Sequence, residues 1–502
     1  MSELRRASTS HSSVSSVVEF ESFTETLLKQ IRDAVDSTVK DVPLEEGLAR
    51  CFLARSDLDS ILHSRPLEQL FRDIRTKRTP ATPRRHIQDA SEGERGGDIN
   101  IDATIDRYIA MTTGIHSRTA LLAMLIYQDR EELLTLFLEW LDDYADAKGP
   151  SDDSIPFTIA DLLQYRVPKK LCRSIIQNQA IFRPITIRQS QHRDFQTTDR
   201  LPFVGARTDI KNGSSGTVFH TTIAPRHWEI KSGDSYVSGN PTQPMVIALK
   251  TFREIPGFRD MQETTYDFEI ERDILKELRS SNVTHNMIML DWGSFTVIDD
   301  HGHPTSHSLI FELATFSLAD FLRDDRRAKL YKTKSLLLKK LVDVVEALAC
   351  LHDTFKTMHL DIKPDNILVF EKGSSHSDIH NEDQGGLIWK LSDFGLARKF
   401  GTNQRSGHNT VDSGDQPSRS SATLATRPAG VYQAPEIQER NSSQAGRGSD
   451  VWSIGCVALM IMAFVCGDPS EVFKLTNCLP VDFMGGGGCQ NLFYVRNDSR
   501  PW

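Results

Sequence analysis

The stretch from His359 to Phe370 reads HLDIKPDNILVF, and LSDFGLAR follows at Leu391 to Arg398. No other part of the chain constrains its fold as tightly. Asp361, Lys363 and Asn366 stand at fixed offsets on one short loop, and Asp393 enters from the next apolar run ahead of a glycine. Asp361 and Lys363 alternate across Ile362, so extended backbone turns both toward one cleft while Ile362 packs the other way. Pro364 blocks regular structure and sets a turn. Ile367, Leu368 and Val369 then run into a buried strand, and Gly395 lets the chain turn sharply while Asp393 stays aimed inward. Phosphoryl transfer from a metal-bound nucleotide needs this set of groups. One carboxylate orients a hydroxyl, one ammonium neutralises the moving phosphoryl, and an amide with a second carboxylate holds the metals. A lone D-x-K-x-x-N also reads as a solvated acidic loop. DFG, and QAPE at Gln433 to Glu436, follow in order and leave that plain reading little room.

From about Leu201 to its C-terminus the chain resembles the eukaryotic protein kinases. The fold implied is α+β and bilobal, the protein kinase fold, with a small β-rich lobe over 201–314 and a large mainly helical lobe over 315–502. An all-α N-terminal region precedes it over 18–200.

On the nucleotide side, DIKNGSSGTVF at Asp209 to Phe219 is similar to the kinase Gly-rich loop, a hairpin whose glycines let backbone N–H groups approach phosphates. Gly213 and Gly216 match its second and third glycines, and Val218 the residue over the adenine. Lys211 holds the first glycine position, where it either adds charge near the phosphates or points to solvent. The polar stretch Thr221 to Pro244 reads as an inserted loop. MVIALK ends at Lys250, which resembles the strand lysine that contacts the α- and β-phosphates. A strand-end lysine that snorkels to water is the plain alternative. FEIERDILKELR is an amphipathic helix with Phe268, Leu275 and Leu278 on one face. The family pattern makes Glu271 the ion-pair partner of Lys250, with Glu269 as the second candidate. In SLIFELA, the resemblance puts Phe311 at the back of the adenine pocket and gives backbone hydrogen bonds from Glu312 and Ala314. Ala248 and Leu368 would sandwich the ring with Val218.

On the catalytic side, the resemblance makes Asp361 the base, with Lys363 on the γ-phosphoryl and Lys250 and Glu271 completing the set. Asn366 and Asp393 would hold Mg2+, which suits hard oxygen ligands. ATP and Mg2+ are therefore the implied cofactors. The D-x-K-x-x-N form resembles Ser/Thr-specific kinases rather than tyrosine kinases.

Several positions depart from the pattern. Leu360 stands where the family often has an arginine that pairs with an activation-loop phosphate, which implies activity independent of that contact, although Arg398 could pair with a phosphate. Lys399 to Arg427 reads as a long disordered activation loop, with Ser420, Ser421 and Thr423 as hydroxyl candidates or a passive loop as the alternative. Tyr432 and Ala434-Pro435-Glu436 match the substrate-binding end of that segment. Ala429 replaces the usual threonine, for which Thr426 could substitute. Asp450 resembles the helix-start aspartate that anchors the catalytic loop, and it suits an N-cap or first-turn position. Only about fifty residues follow Asp450 in a lobe that normally continues. The expectation is a C-terminally incomplete large lobe, one flank of this helix uncovered, and no clear arginine partner for Glu436 at Arg496 or Arg500.

Elsewhere, residues 1–17 form a Ser-rich tail, with RRAS at Arg5 to Ser8 resembling a basophilic kinase site. Phe23, Leu27, Ile31 and Val35 lie four apart and predict a helix. Arg75 to Asn100 reads as a linker, and its KRTPATPRR run as a solvated cluster or a nuclear signal. TALLAMLIYQDREELLTLFLEWL predicts a helical hairpin. The helical region reads as an interaction or regulatory module, or as a structural extension.

The net charge of −9 carries no nucleic-acid or membrane signature. The apolar run Trp452 to Cys466 is short for a bilayer and reads as a core helix. The seven cysteines include no C-x-x-C pair, and Cys350, Cys456 and Cys466 sit in apolar runs, so buried thiols in a reducing compartment are expected. The polar, Ser-rich N-terminus does not read as a signal peptide. The resulting expectation is an intracellular protein Ser/Thr kinase of fungal style, cytoplasmic or nuclear, acting on a protein substrate, with a regulatory partner at the helical region. A catalytically impaired ATP-binding scaffold and a small-molecule kinase are the rival readings.

Overall fold

The computed structural model describes residues 23–42, 49–78, 101–144, 149–213, 216–255, 257, 259–281, 286–324, 326, 334–371, 386–400, 431–435, 446–479, 481–483, 489–491 and 493. The Ser-rich tail, the linker beyond residue 78, the body of the Lys399–Arg427 loop, Thr426, Ala429, Glu436, Arg496 and Arg500 lie outside the described residues.

The stripe at Leu27, Ile31 and Val35 is the buried face of helix α1 (Phe23–Ser37). Helices α2 (Arg55–Ile61), α3 (Ser64–Arg78) and α4 (Ile101–Thr113) follow. The long apolar run divides into α5 (Thr119–Tyr127) and α6 (Glu131–Asp143), with Asp129 turning the chain between them at φ 56°. Aspartate tolerates that left-handed conformation because its short side chain bonds locally. α5 is apolar all round and buries every residue from Ala120 to Ile126, as a helix with neighbours on all sides must. With α7 (Ile159–Gln164) and α8 (Lys169–Asn178), these helices share one apolar core from Leu27 to Phe182.

The expected all-α character does not extend to residue 200. Strands β1 (Ile187–Arg188) and β2 (His192–Gln196) follow the last helical turns. β2 runs parallel to β8 (Gly293–Ile298) at one end of a six-stranded sheet ordered β2-β8-β9-β7-β4-β3. The other strands are β3 (Phe203–Gly213), β4 (Gly216–Ile223), β7 (Met245–Phe252) and β9 (Pro304–Glu312). HRDFQ buries only Phe195, so its alternation is too weak to read, and its partner lies about a hundred residues further on. The polar insertion is also more ordered than a loop. It folds as a hairpin of β5 (Trp228–Ser232) and β6 (Ser235–Ser238), turning at Gly233 with φ 62°, and β5 pairs in parallel with β1.

The helical unit is fastened to this sheet. Phe52, Ala54 and Ala224 bury one another against Val204. The Gly205 N–H donates to Thr38 O (2.8 Å), and Arg50 Nη2 donates to Gly205 O (3.1 Å). His227 is fully buried at the junction. Its Nε2 accepts the Arg55 N–H (3.1 Å) and its Nδ1 lies 2.9 Å from Ile185 O, a pairing that assigns the proton to Nδ1.

Helix α9 (Met261–Ser280) is capped by the Asp260 carboxylate, which accepts the Glu263 N–H, and it turns Phe268, Glu271, Leu275 and Leu278 inward. Beyond β9, the short strand β10 (Phe316–Ser317) leads into α10 (Leu318–Arg323) and α11 (Lys334–Asp353). Strand β11 (Thr357–Met358) precedes the antiparallel pair β12 (Ile367–Glu371) and β13 (Leu387–Leu391), and β14 (Arg398–Lys399) pairs back with β11. Helices α12 (Arg447–Cys466) and α13 (Pro469–Cys478) complete the described part of this lobe. By length and composition α12 is apolar enough to cross a bilayer. It is instead packed into the second core, where Ile454, Val457, Ile461 and Phe464 are buried and Phe464 meets Phe321 at 5.4 Å. Val451 and Leu459 on its other flank, and Phe473 on α13, are exposed. Of the three cysteines expected inside, Cys456 is buried and Cys350 half-buried, whereas Cys466, at the helix end, is exposed.

Candidate active site

Sheet register assembles the upper wall of the cleft. Lys211 opposes Val218, Val218 opposes Lys250, and Ala248 opposes both His220 and Phe311. Directly opposed residues share a face, as do positions two apart, so Lys211, Val218, Ala248, Lys250 and Phe311 all project from one side of the sheet. Gly213 and Gly216 form the last pair of the β3–β4 hairpin. A Cβ on Gly216 would stand 2.7 Å from the Thr251 carbonyl oxygen, so no larger residue fits this approach.

Lys250 is the centre of the buried charge. Its Nζ donates to both Glu271 oxygens (2.9 and 2.7 Å) and to Asp393 Oδ1 (2.7 Å). Glu271 is buried, while Glu269 is exposed on the same helix, so the inward face of α9 selects Glu271. Burial alone would lower the Lys250 ammonium, but the Asp393 and Glu271 carboxylates outweigh it and hold it above the ordinary lysine value. Burial pushes Glu271 up to about 7, and the Lys250 charge that opposes the shift is shared with Asp393. Burial would also raise Asp393, but Lys250 above all, with Lys211 and Lys363, holds it well below the ordinary carboxylate range.

The lower wall is built by two loops locked together. Lys363 Nζ donates to Asp361 Oδ2 (2.7 Å), and Ile362 between them is buried. Residues Pro364–Asn366 form one tight helical turn after Lys363. Asn366 Nδ2 donates to both the backbone oxygen and Oδ2 of Asp361 (2.9 and 2.8 Å). β12 and β13 pair Ile367 with Leu391, which sets Asn366 beside Ser392, and the Ser392 N–H and hydroxyl both donate to Asn366 O. The next residue, Asp393, is thereby delivered to the same cleft. The chain turns at Gly395 as expected, and the left-handed conformation just before it belongs to Asp393, φ 69°. Phe394 anchors the turn by burying its ring 5.1 Å from His359, whose Nε2 lies 3.0 Å from Ser392 O.

Asp450, in the first turn of α12, is fully buried. Its carboxylate accepts the backbone N–H groups of His359 (2.8 Å) and Leu360 (2.7 Å), and lies 2.7 Å from His352 Nε2. Leu360 sits at φ 62°, buried with Met358 and Leu396. His352, Ser392 and the His359 ring were not singled out by sequence reasoning. Their partners lie thirty to a hundred residues away, and only the position of His359 inside the motif hinted at a role.

The remaining positions differ in what the fold does with them. Leu368 opposes Lys390 on the β12–β13 pair and is half-buried. The Glu312 side chain is occupied by Lys390 Nζ (3.0 Å), which ties the end of β9 to β13 and leaves only the Glu312 backbone for a ligand. Ala314 is half-buried between β9 and β10. Tyr432 is held through its carbonyl by the Ser453 hydroxyl (2.7 Å).

A divalent cation fits the donor set. Asn366 Oδ1 and the Asp393 carboxylate are hard oxygens, and each already takes an ammonium, from Lys211 (2.8 Å) and Lys250 respectively. No group of three or more His, Cys, Asp or Glu able to hold a metal occurs among the described residues. Mg2+ is ordinarily held by one or two protein oxygens, with water and nucleotide phosphates supplying the rest.

Residues 232–470 match the family model of the protein kinase domain. The span includes Lys250, Glu271, Asp361, Lys363, Asn366, Asp393 and Asp450, and begins after the β3–β4 hairpin. Cyclin-dependent kinase 7 of Xenopus laevis is 27% identical over 36% of this chain and 42% of its own length. Cyclin-dependent kinase 7 of Dictyostelium discoideum is 26% identical over 43% and 48%. A probable receptor-like protein kinase of Arabidopsis thaliana is 28% identical over 52% and 55%. The chain spans about half the length of the curated relatives it matches. These similarities support a place in the eukaryotic protein kinase superfamily.

Proposed function

We propose that the chain is a protein serine/threonine kinase that transfers the γ-phosphoryl group of ATP to Ser and Thr hydroxyls of a protein. The observation that carries the reading is Lys250, whose ammonium joins Glu271 of α9 to Asp393 beyond β13. This contact holds the upper and lower walls of the cleft in one arrangement, with the Asp361–Lys363–Asn366 network facing it.

Each group has a part in the reaction. The Asp361 carboxylate orients the substrate hydroxyl and accepts its proton as the oxygen attacks phosphorus. The bond from the γ-phosphorus to the bridging oxygen breaks, and ADP carries that electron pair away. The Lys363 ammonium, held against Asp361, compensates charge on the transferred group. Lys250, oriented by Glu271, is placed for the α- and β-phosphates. Val218, Ala248 and Leu368 supply apolar surface for the base, with the Glu312 and Ala314 backbones along its edge and Gly213 and Gly216 keeping the hairpin low over the phosphates. Asn366 and Asp393 would hold Mg2+, which would supply positive charge to offset the phosphates when bound. Catalysis is positioning and charge compensation, with no covalent enzyme intermediate.

Preference for Ser and Thr is supported by Lys363 two residues after Asp361, the spacing of the Ser/Thr-specific pattern, and by its ammonium resting on the Asp361 carboxylate. The deciding experiment incubates the chain with Mg2+ and ATP labelled at the γ-phosphate, together with a peptide array, and hydrolyses the products for phosphoamino acids. Label on serine and threonine supports the proposal, and label on tyrosine alone overturns the specificity. Nucleotide binding without any transfer favours an ATP-binding scaffold.

A further inference from the structure

Lys211 stands where the kinase pattern has a glycine, and the fold gives its side chain a definite target. β3 projects it from the same face as Val218 and Lys250, and its Nζ donates to Asn366 Oδ1 on the opposite wall at 2.8 Å. Asn366 is fully buried and its amide nitrogen is committed to Asp361. Its side chain therefore offers one group to a cation, the oxygen that Lys211 occupies. A metal ion and an ammonium repel at contact distance, and both need the lone pairs of that oxygen. We propose that Lys211 competes with the divalent cation for Asn366 Oδ1, so that metal binding at Asn366 is coupled to release of the Lys211 side chain from the lower wall. The inference rests on the reading of this cleft as a metal–nucleotide site and assigns its regulation.

Three details favour competition over a passive contact. Asp361, Asp393 and Glu271 are matched by Lys363, Lys250 and Lys211, so the cleft is charge-balanced with Lys211 inward, and an added dication disturbs that balance. Lys250 and Lys363 each donate to a carboxylate, whereas Lys211 donates to a neutral amide and acts on Asp393 only through space, so it is the ammonium that leaves most readily. Lys211 also lies on β3, the edge strand of the sheet, just past an irregularity in its pairing with β4, so its departure leaves β4 on β7 and the buried Lys250–Glu271 pair in place.

The test measures metal occupancy directly. Free Mn2+ is followed by electron paramagnetic resonance as it is titrated into the full chain with adenylyl imidodiphosphate. Wild type is compared with Lys211→Ala, Lys211→Met, Asn366→Ala and the Lys211→Ala/Asn366→Ala double variant. Lys211→Ala and Lys211→Met should each lower the half-saturating Mn2+ concentration by about 5-fold or more, the range of ordinary site coupling. On the Asn366→Ala background Lys211→Ala should act much more weakly, through the loss of its charge near Asp393 alone, because the contested oxygen is gone. An unchanged or weakened Mn2+ midpoint in both single Lys211 variants, with the nucleotide analogue still retained, overturns the competition alone. Failure of wild type and both Lys211 variants to retain the analogue at any Mn2+ concentration overturns the site reading and this inference together.

Discussion

Asp450 Oδ1 accepts the backbone N–H of Leu360 at 2.7 Å, across ninety residues of chain. The other oxygen of the same carboxylate takes the His359 N–H and lies against His352. Leu360 has a left-handed backbone that is disfavoured for a branched side chain, and these bonds hold it there. The first turn of α12 thus positions Asp361, the residue that follows.

Asp450→Ala should therefore act on both stability and chemistry. It strands buried N–H groups on His359 and Leu360, each worth about 1–3 kcal/mol when left unpaired. Urea unfolding should show a loss of about 2–6 kcal/mol for the sum. Stability within about 1 kcal/mol of wild type, about a fivefold change in the folding equilibrium, would mean the loop is anchored by other contacts.

Asp361→Asn should abolish transfer while sparing nucleotide affinity. Its side chain has nearly the same shape, so its contacts with Lys363 and Asn366 survive in part while proton acceptance is lost. The expected fall in kcat is about 100-fold to 10,000-fold. Equal kcat for variant and wild type removes Asp361 from the role of base.

Lys250→Met removes the one group shared by Glu271 and Asp393. Losing one partner of a buried pair ordinarily costs about 3–5 kcal/mol, because the remaining charge has no compensation. Nucleotide affinity, read by equilibrium dialysis, should drop together with stability. The double variant Lys250→Met/Glu271→Leu should recover stability but not affinity, since it removes the stranded Glu271 and leaves the phosphates without their ammonium. Recovery of both would show that Lys250 has no part in binding.

His227 makes the junction between the helical unit and the sheet pH-dependent. Burial lowers its pKa from 6.5 to about 4, and the Arg55 charge adds to the shift against the hydrogen bond to Ile185 O. The folded state thus favours the neutral ring. This contribution is fully present above pH 6.5 and is lost as pH falls from there through about 4. The shift corresponds to about 3 kcal/mol at its limit. Unfolding free energies at pH 7 and pH 4.5 should differ more for wild type than for His227→Gln, and equal slopes for the two proteins would refute the linkage.

The catalytic loop was legible because its logic is local. Asp361, Lys363 and Asn366 lie within six positions, Pro364 fixes the turn among them, and Ile362 and Ile367 show which way each neighbour packs. The stripe of α1 and the α5–α6 hairpin were legible for the same reason, since helical periodicity repeats within one or two turns. His192 to Gln196 gave no such signal. It has one buried side chain, and it becomes a strand only because β8 presents a parallel edge to it. The Thr221–Pro244 hairpin was obscured in the same way, and the position of Cys466 turned on where α12 stops.

Residue types and their spacing thus determined the chemistry available to this protein: which carboxylates, ammonium groups and amide could act, and in what order along the chain. The tertiary structure alone decided which of them meet. Lys211 reaching Asn366, Lys250 holding Glu271 and Asp393, and Asp450 anchoring Leu360 each join residues that are strangers in sequence. Such pairs depend on the register of the sheet and the packing of α9 and α12, in which each contact becomes favourable only when the others have already brought its partners together.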